Sequence, residues 1–307
     1  MTIKLTDPIF RDETKAREHL EALLWPQGAF CPRCGEAKDI HKLQGKTQRP
    51  GLYQCNPCHR SFSVTVNTVM ERSHIPLTSW AAAFQIYCAS KKGFSAHQLH
   101  RMLGITYKSA WFLAHRVREA MKRVDGLPPL GGKGKTIEAD ETFVGRKPGT
   151  KKRRGSAHLN PVVALVERGG EVRSSHIANV SADSLRPILH GQASPKSRLM
   201  TDELATYKLL GHRFASHEAV KHSMDEYVRG DVHTNTVEGF FSILKRGIYG
   251  TYQHVSPAHL QRYLAEFDFR YSNREAVGVD DLLRSMRAIK GAQGKRLTYR
   301  QAGRKAA

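Results

Sequence analysis

Two short runs, CPRC and CNPC, constrain this chain more than anything else in it. They supply Cys31 and Cys34, then Cys55 and Cys58, with 20 residues between the pairs. The opening residues, MTIKLTDPIFRDETKAREHL, hold no secretory hydrophobic region. Paired thiols in such a chain point to a metal rather than to disulfides. Each C-x-x-C folds as a tight knuckle, and a strand-turn-strand between them brings four sulfurs around one tetrahedral ion. Gly35, directly after the first pair, suits the positive backbone torsion of a knuckle. The expectation is a zinc ribbon over residues 27–72 holding one structural Zn²⁺, since four thiolates close the coordination shell. A redox dithiol needs one pair only. His59 is read as a solvated histidine beside the site, and Cys88 as a small core residue.

Charge narrows the partners. Forty-nine Lys and Arg stand against 28 Asp and Glu, a net charge of +21. Such a balance favours polyanions, because neutralised phosphates release counterions whatever the base sequence. An RNA-associated protein or a membrane-surface binder satisfies the same number, and charge does not separate DNA from RNA. No uninterrupted apolar run is long enough to span a bilayer. The expectation is a soluble, cytoplasmic, nucleoid-associated protein with no membrane partner.

Residues 1–26 read as an N-terminal amphipathic helix with Ala16, Leu20, Leu23 and Leu24 on one side. Residues 73–124 read as helices. The first, SWAAAFQIYCAS, sets Trp80, Phe84, Tyr87 and Cys88 on one face. GFSAHQLHRMLGITYKSAWFLAHRVREAM then resembles a helix-turn-helix: Leu99, Met102 and Leu103 end one helix, Gly104 turns, and a second helix buries Ala110, Leu113, Ala114 and Val117. Thr106, Tyr107, Lys108 and Ser109 open that helix, where a recognition helix meets base edges. A helical hairpin that only packs fits the pattern too. DGLPPLGGKGK, residues 125–135, is rich in glycine and proline and marks a linker.

Beyond the linker the rhythm becomes that of strands. KTIEADETFVG alternates Ile137, Ala139 and Phe143 with Glu138, Asp140 and Thr142. NPVVALVER, a Gly169-Gly170 turn and EVRSSHIANV predict a hairpin. A helix (SADSLRPILHGQ), a short strand running into a helix (SRLMTDELATYKLLG), a strand (FASHEAV) and two helices follow. Three strands, helix, strand, helix, strand and helices is the order of a ribonuclease-H-like mixed sheet flanked by helices. The expected architecture is therefore α/β, with that domain over 136–275, preceded by the ribbon and the helix-turn-helix-like module. Residues 276–307, with Lys295, Arg296, Arg300, Arg304 and Lys305, are left as a basic C-terminal tail.

Three acids hold telling positions in this layout. Asp140 lies mid-strand, where an ionised carboxylate is costly to bury alone. Asp202 ends the apolar LMTD run, and Glu238 opens a helix. Although 62 and 36 residues separate them, such a sheet can gather all three at one edge. Clustered carboxylates repel unless cations lie between them, and oxygen donors favour Mg²⁺ or Mn²⁺. Two such ions suit in-line attack on a phosphodiester. Glu141 and Glu203, beside the aspartates, read as solvated acids, and His233 as a surface or capping histidine.

HTNTVEGFFSILKRG, residues 233–247, completes the pattern. Val237, Phe241, Leu244 and Ile248 form an apolar stripe, and Asn235, Glu238, Ser242 and Lys245 a polar ridge beside it. Seven residues are nearly two turns, so Glu238 and Lys245 share a face. With CPRCG…CNPCHRSFSV, IEADETFVG and LMTDELATY, this stretch resembles the insertion-sequence transposases of the DDE type that join a zinc ribbon to a ribonuclease-H-like domain. The resemblance spans about residues 20–275. It implies that Asp140, Asp202 and Glu238 form an acidic triad holding two Mg²⁺ (or Mn²⁺) ions. Asn235 is the alternative third ligand, and Lys245 is the basic residue on the DNA side of the helix.

The function that follows is binding of double-stranded element ends and target DNA, metal-dependent strand cleavage and strand transfer, in a homodimer or larger assembly. Expected DNA contacts are Tyr107, Lys108, Ser109, Lys245 and Arg246, with Lys151, Lys152, Arg153 and Arg154 from the basic GRKPGTKKRRGSAH loop. A non-catalytic zinc-ribbon regulator accounts for the charge and the ribbon but not for acids on apolar strands. A nuclease of the same fold cuts without joining.

Overall fold

The computed structural model describes residues 4, 6–124 and 126–298. Arg300, Arg304 and Lys305 of the expected tail, and Asp125 of the expected linker, lie outside the described residues.

The chain divides into two compact units, one of Met1–Ser90, Phe94–Lys122 and Asp280–Ala307, the other of Lys91–Gly93 and Arg123–Val279. The first unit begins with α1 (Glu13–Leu24), capped by Asp12, whose carboxylate accepts from the backbone N–H groups of Thr14 and Lys15. It buries Ala16, Leu20, Leu23 and Leu24, the side that periodicity predicts. Strands β1 (Ile40–Lys42), β2 (Tyr53–Cys55) and β3 (Arg60–Phe62) follow as an antiparallel sheet in that order. Strands this short bury little of their own. Trp25, after α1, packs edge-on against Tyr53 and Phe62, at ring-centroid distances of 5.4 and 5.8 Å. Next come α2 (Leu77–Ala89), α3 (Ala96–Leu103) and α4 (Tyr107–Met121). Ser95 and Gln98 form a capping box on α3, and Gly104 ends it in the left-handed region at φ 64°. Thr106 caps α4 by accepting from Ser109 N–H. The turn between these helices is the one expected.

The second unit is built on a five-stranded sheet. Its strands are β4 (Thr136–Arg146), β5 (Leu159–Glu167), β6 (Val172–His176), β7 (Arg198–Thr201) and β8 (Ser216–Ala219). The spatial order is β6-β5-β4-β7-β8. β4, β5 and β6 form an antiparallel meander, while β7 and β8 run parallel to β4. Helices α5 (Ala182–Gln192) and α6 (Ala205–Gly211) make the crossovers. A small hairpin, β9 (Val228–Arg229) with β10 (Val232–His233), leads into α7 (Asn235–Arg246), a π-helical turn at Gly247–Tyr252 and α8 (Pro257–Ser272). This is the ribonuclease-H-like sheet expected from the element order, with the hairpin added.

Both faces of the sheet are covered. Val144, Val162, Ala164 and Val166 pack with Val237, Phe241 and Leu244 of α7 and with Leu260, Leu264 and Phe267 of α8. Ile137, Ala139, Val163 and Leu165 pack with Leu185 and Leu189 of α5 and with Tyr207 and Leu210 of α6. Polar side chains on β4 therefore sit in a largely apolar, enclosed setting.

The segment expected to be a basic tail is instead ordered in part. α9 (Asp281–Lys290) is capped by Asp280 and packs with α1, α2 and α4 in the first unit. Arg284 is buried on its inner face, yet it donates to the Cys88 carbonyl at 2.7 Å and pairs with Asp281. A cation satisfied in this way can line a core, which is why basic composition mislabels the segment.

Candidate functional site

The four ribbon cysteines converge: each offers its Sγ, and the four sulfurs lie within 4.8 Å of one another. Cys31 to Cys58 and Cys34 to Cys55 are both 3.6 Å. A tetrahedron with Zn–S bonds near 2.3 Å has edges of roughly 3.8 Å, so the donor set fits zinc in both chemistry and spacing. Gly35 adopts φ 82°, as the knuckle requires. Burial opposes the Cys31 thiolate, but N–H groups of Arg33 and Cys34 together with the Cys34 and Cys58 thiols outweigh it and bring the thiol down to about 7. Cys88 is buried within α2, away from this group.

The acids meet where β7 ends beside the middle of its parallel neighbour β4. β4 and β7 pair from Thr136↔Arg198 to Glu138↔Met200. Continued two residues, that register sets Asp140 opposite Asp202, where β7 has ended at Thr201. Oxygens of Asp140, Glu141 and Asp202 lie within 4.8 Å of one another. Burial, then the charge of Glu141, pushes the Asp140 carboxyl up to about 7 against its hydrogen bond from Glu141 N–H, and Asp202 and Glu238 add to the rise. Burial likewise raises Asp202, countered by the Leu204 N–H and by His222. Burial raises Glu141, although the hydroxyl of fully buried Tyr207 donates to it at 2.8 Å. An all-oxygen set of mutually repelling carboxylates fits a hard divalent cation.

Glu238 stands outside that trio, half-exposed on the first turn of α7, while its charge acts on Asp140. Thr234 Oγ1 donates to its Oε1 at 2.7 Å, and His222 Nε2 lies 3.8 Å from the same oxygen. The helix divides as its pattern predicts. Val237, Phe241, Leu244 and Ile248 are buried, joined by Phe240, and Asn235, Glu238 and Lys245 are exposed.

Residues 129–272 match the ISXO2-like transposase domain, and residues 11–61 match the transposase zinc-ribbon domain. The chain belongs to the insertion-sequence transposases of the DDE type. A protein of Halobacterium salinarum, described as an uncharacterized protein in transposable element ISH50, is 29% identical over 281 residues, covering 85% of this chain and 91% of its own. Among solved structures, the Mos1 strand transfer complex is similar over 68% of this chain and 73% of that chain, at 14% identity and a TM-score of 0.28. A pre-cleavage Mos1 transpososome is similar over 68% and 74%, at 12% and 0.27. Likeness at those scores places no residue of the site.

The candidate DNA contacts are exposed side chains in both units. Lys151, Lys152, Arg153 and Arg154 are exposed on the loop joining β4 to β5, and Lys245 and Arg246 are exposed on α7, where Arg246 donates to Ser242. In the first unit, Tyr107 and Lys108 are exposed at the start of α4. Tyr107 stacks on His97 at 4.2 Å, and the Ser109 hydroxyl and N–H are engaged by Thr106. Among the described residues no helix is long and apolar enough to cross a membrane.

Three residues escaped the sequence. Glu141 joins Asp140 and Asp202 instead of lying in solvent, because β7 stops short and Tyr207 draws its carboxylate inward. His222 reaches Glu238 from a turn without periodicity. Glu138 shares the alternating face of Asp140, but its partners come from distant segments. Glu203, by contrast, is bound by Ser223 N–H and hydroxyl and lies outside the close trio, although its charge adds to the rise of Asp202.

Proposed function

We propose that Asp140, Asp202 and Glu238 are the catalytic acids and hold two Mg²⁺ (or Mn²⁺) ions, with Glu141 lining the same group. The protein then cleaves a strand at its element's terminal repeats and joins the freed 3′-hydroxyl to target DNA. The observation that carries the reading is the meeting of the Asp140, Glu141 and Asp202 oxygens where β7 ends beside the middle of β4, in a chain of +21 net charge. Bound there, the two ions would activate the attacking oxygen and stabilise the leaving one.

The chain's own residues do the rest. The sheet fixes Asp140 and Asp202 side by side, and α7 brings Glu238 alongside with Asn235 one turn earlier. Lys245, Arg246 and the loop cations Lys151, Lys152, Arg153 and Arg154 meet DNA phosphates, which positions the strand without reading sequence. Tyr107, Lys108 and Ser109, at the start of the second helix of the helix-turn-helix, face base edges, and the zinc ribbon grips the duplex beside them. Joining two ends in one event calls for a homodimer or larger assembly, acting in the cytoplasm on the nucleoid.

The test is incubation of the full chain with labelled element-end duplex and Mg²⁺. Nicked and joined products are expected. Asp140→Asn and Asp202→Asn should each lower cleavage by about 10³-fold or more, roughly 4 kcal/mol of transition-state stabilisation, while end binding stays within about twofold. Cleavage retained in either variant refutes the assignment. Binding without nicking in the unsubstituted protein would instead identify a regulator.

A further inference from the structure

Glu138 is the most enclosed acid on β4, with no exposed surface, and it lies two residues from Asp140 on the same face. Its carboxylate is fully engaged. Oε2 accepts from the backbone N–H groups of Thr236 and Val237 at 2.8 and 3.0 Å. Oε1 accepts from Thr236 Oγ1 at 2.8 Å and Arg168 Nε at 2.5 Å. Those N–H groups open α7, where a helix has no internal acceptors and its dipole favours a negative charge.

Ordinarily the N-cap side chain serves them. Here the N-cap, Thr234, makes no such bond; its hydroxyl donates to Glu238 Oε1 at 2.7 Å. The cap comes from the neighbouring strand, and the local hydroxyl is left to orient the carboxylate on the helix. Arg168 extends the clamp by donating to the carbonyls of Asp231 and His233, at 2.7 and 2.9 Å, in the hairpin that leads into the helix. With every oxygen engaged, Glu138 has no free lone pair aimed at a cation.

We propose that Glu138 is a positioning residue of the transposase: it fixes the first turn of α7 to the strand that bears Asp140, and so sets the spacing between Asp140 and Glu238. This rests on the assignment of Glu238 to the site proposed above. Partners behind metal ligands typically affect metal affinity or activity by about 10- to 100-fold. Glu138→Gln keeps the side-chain size but replaces one acceptor with a donor facing Arg168.

Two readouts on the full chain test this: Mn²⁺ binding without DNA by electron paramagnetic resonance, and the Mn²⁺ midpoint of end cleavage. Glu138→Gln should raise both midpoints about tenfold, and end-DNA affinity should not change. In a Glu238→Gln background the same change should add less than about twofold, because its effect passes through Glu238. Unmoved midpoints, or an equal shift in that background, overturn the proposal. Should Glu138→Gln not fold, Thr236→Val, which removes one of the four bonds, is read alone. A shift of about threefold is then expected, and none overturns the proposal. Asp140→Asn separates the two levels: if that variant still cleaves, the site assignment has failed rather than the role of Glu138.

Discussion

The sulfur cluster and the carboxylate cluster stand in opposite relations to their surroundings. Three of the four thiols are carried outside the strands and Cys55 ends one of three strands of three residues each, which bury little without an ion. The carboxylates sit beside the central strand of a five-stranded sheet covered on both faces, a structure that needs no ion to stand. In the ribbon the ligands hold the fold; in the catalytic domain the fold holds carboxylates that repel one another. Removing the metal should therefore have opposite consequences at the two places.

The largest effect is expected at the ribbon. Structural zinc contributes about 10–16 kcal/mol of apparent binding free energy in small zinc modules, far more than three short strands supply. Cys55→Ser, or a strong chelator, should unfold residues 27–72. The indicator is Trp25, buried against Tyr53 and Phe62: its emission should shift red, and Trp25→Phe should abolish the shift. A ribbon that keeps its fluorescence without zinc removes one side of the contrast.

The carboxylate cluster should respond the other way. In metal-free protein, Asp140→Asn relieves repulsion by Glu141, Asp202 and Glu238 at an enclosed position. The melting temperature of the catalytic domain should rise by about 4 °C, equivalent to about 1–2 kcal/mol in a unit of this size. Added Mg²⁺ should reverse the order, since only the unsubstituted site gains by mass action from the ion. A metal-free Asp140→Asn protein that melts lower than the parent shows that the carboxylates support the sheet.

The same contrast explains what could be read beforehand. The zinc ligands are spaced by local turn geometry, so their grouping is visible in CPRC and CNPC. The alternation in IEADETFVG and the stripe in VEGFFSIL follow strand and helix periods, and the strand order follows from the succession of elements. Glu138 is different: Arg168 and Thr236 lie 30 and 98 residues away, and no periodicity relates them. Glu141 falls on the side opposite Asp140 by alternation, and only the early end of β7 lets both reach Asp202. α9 hides behind Arg284, because a buried cation breaks the apolar pattern that marks a core helix.

Asp268, on α8, sharpens the comparison with the smallest effect. Its residue keeps some exposed surface, but its carboxyl is enclosed and accepts from Ser174 N–H and hydroxyl at 2.8 and 2.6 Å. Burial outweighs those bonds and the charge of Arg123, pushing it from 3.8 up to about 7. Between those two values the folded state keeps a proton that the unfolded chain releases, so stability falls as pH rises through the window. Asp268→Asn removes this contribution: its melting temperature should exceed the parent's by roughly 3 °C at pH 8, with the gap closing below pH 4. Unlike the gain at Asp140, it should be indifferent to Mg²⁺, because among the described residues no second carboxylate acts on it. A gap that Mg²⁺ closes would mean that burial alone does not distinguish Asp268 from the acids proposed as catalytic.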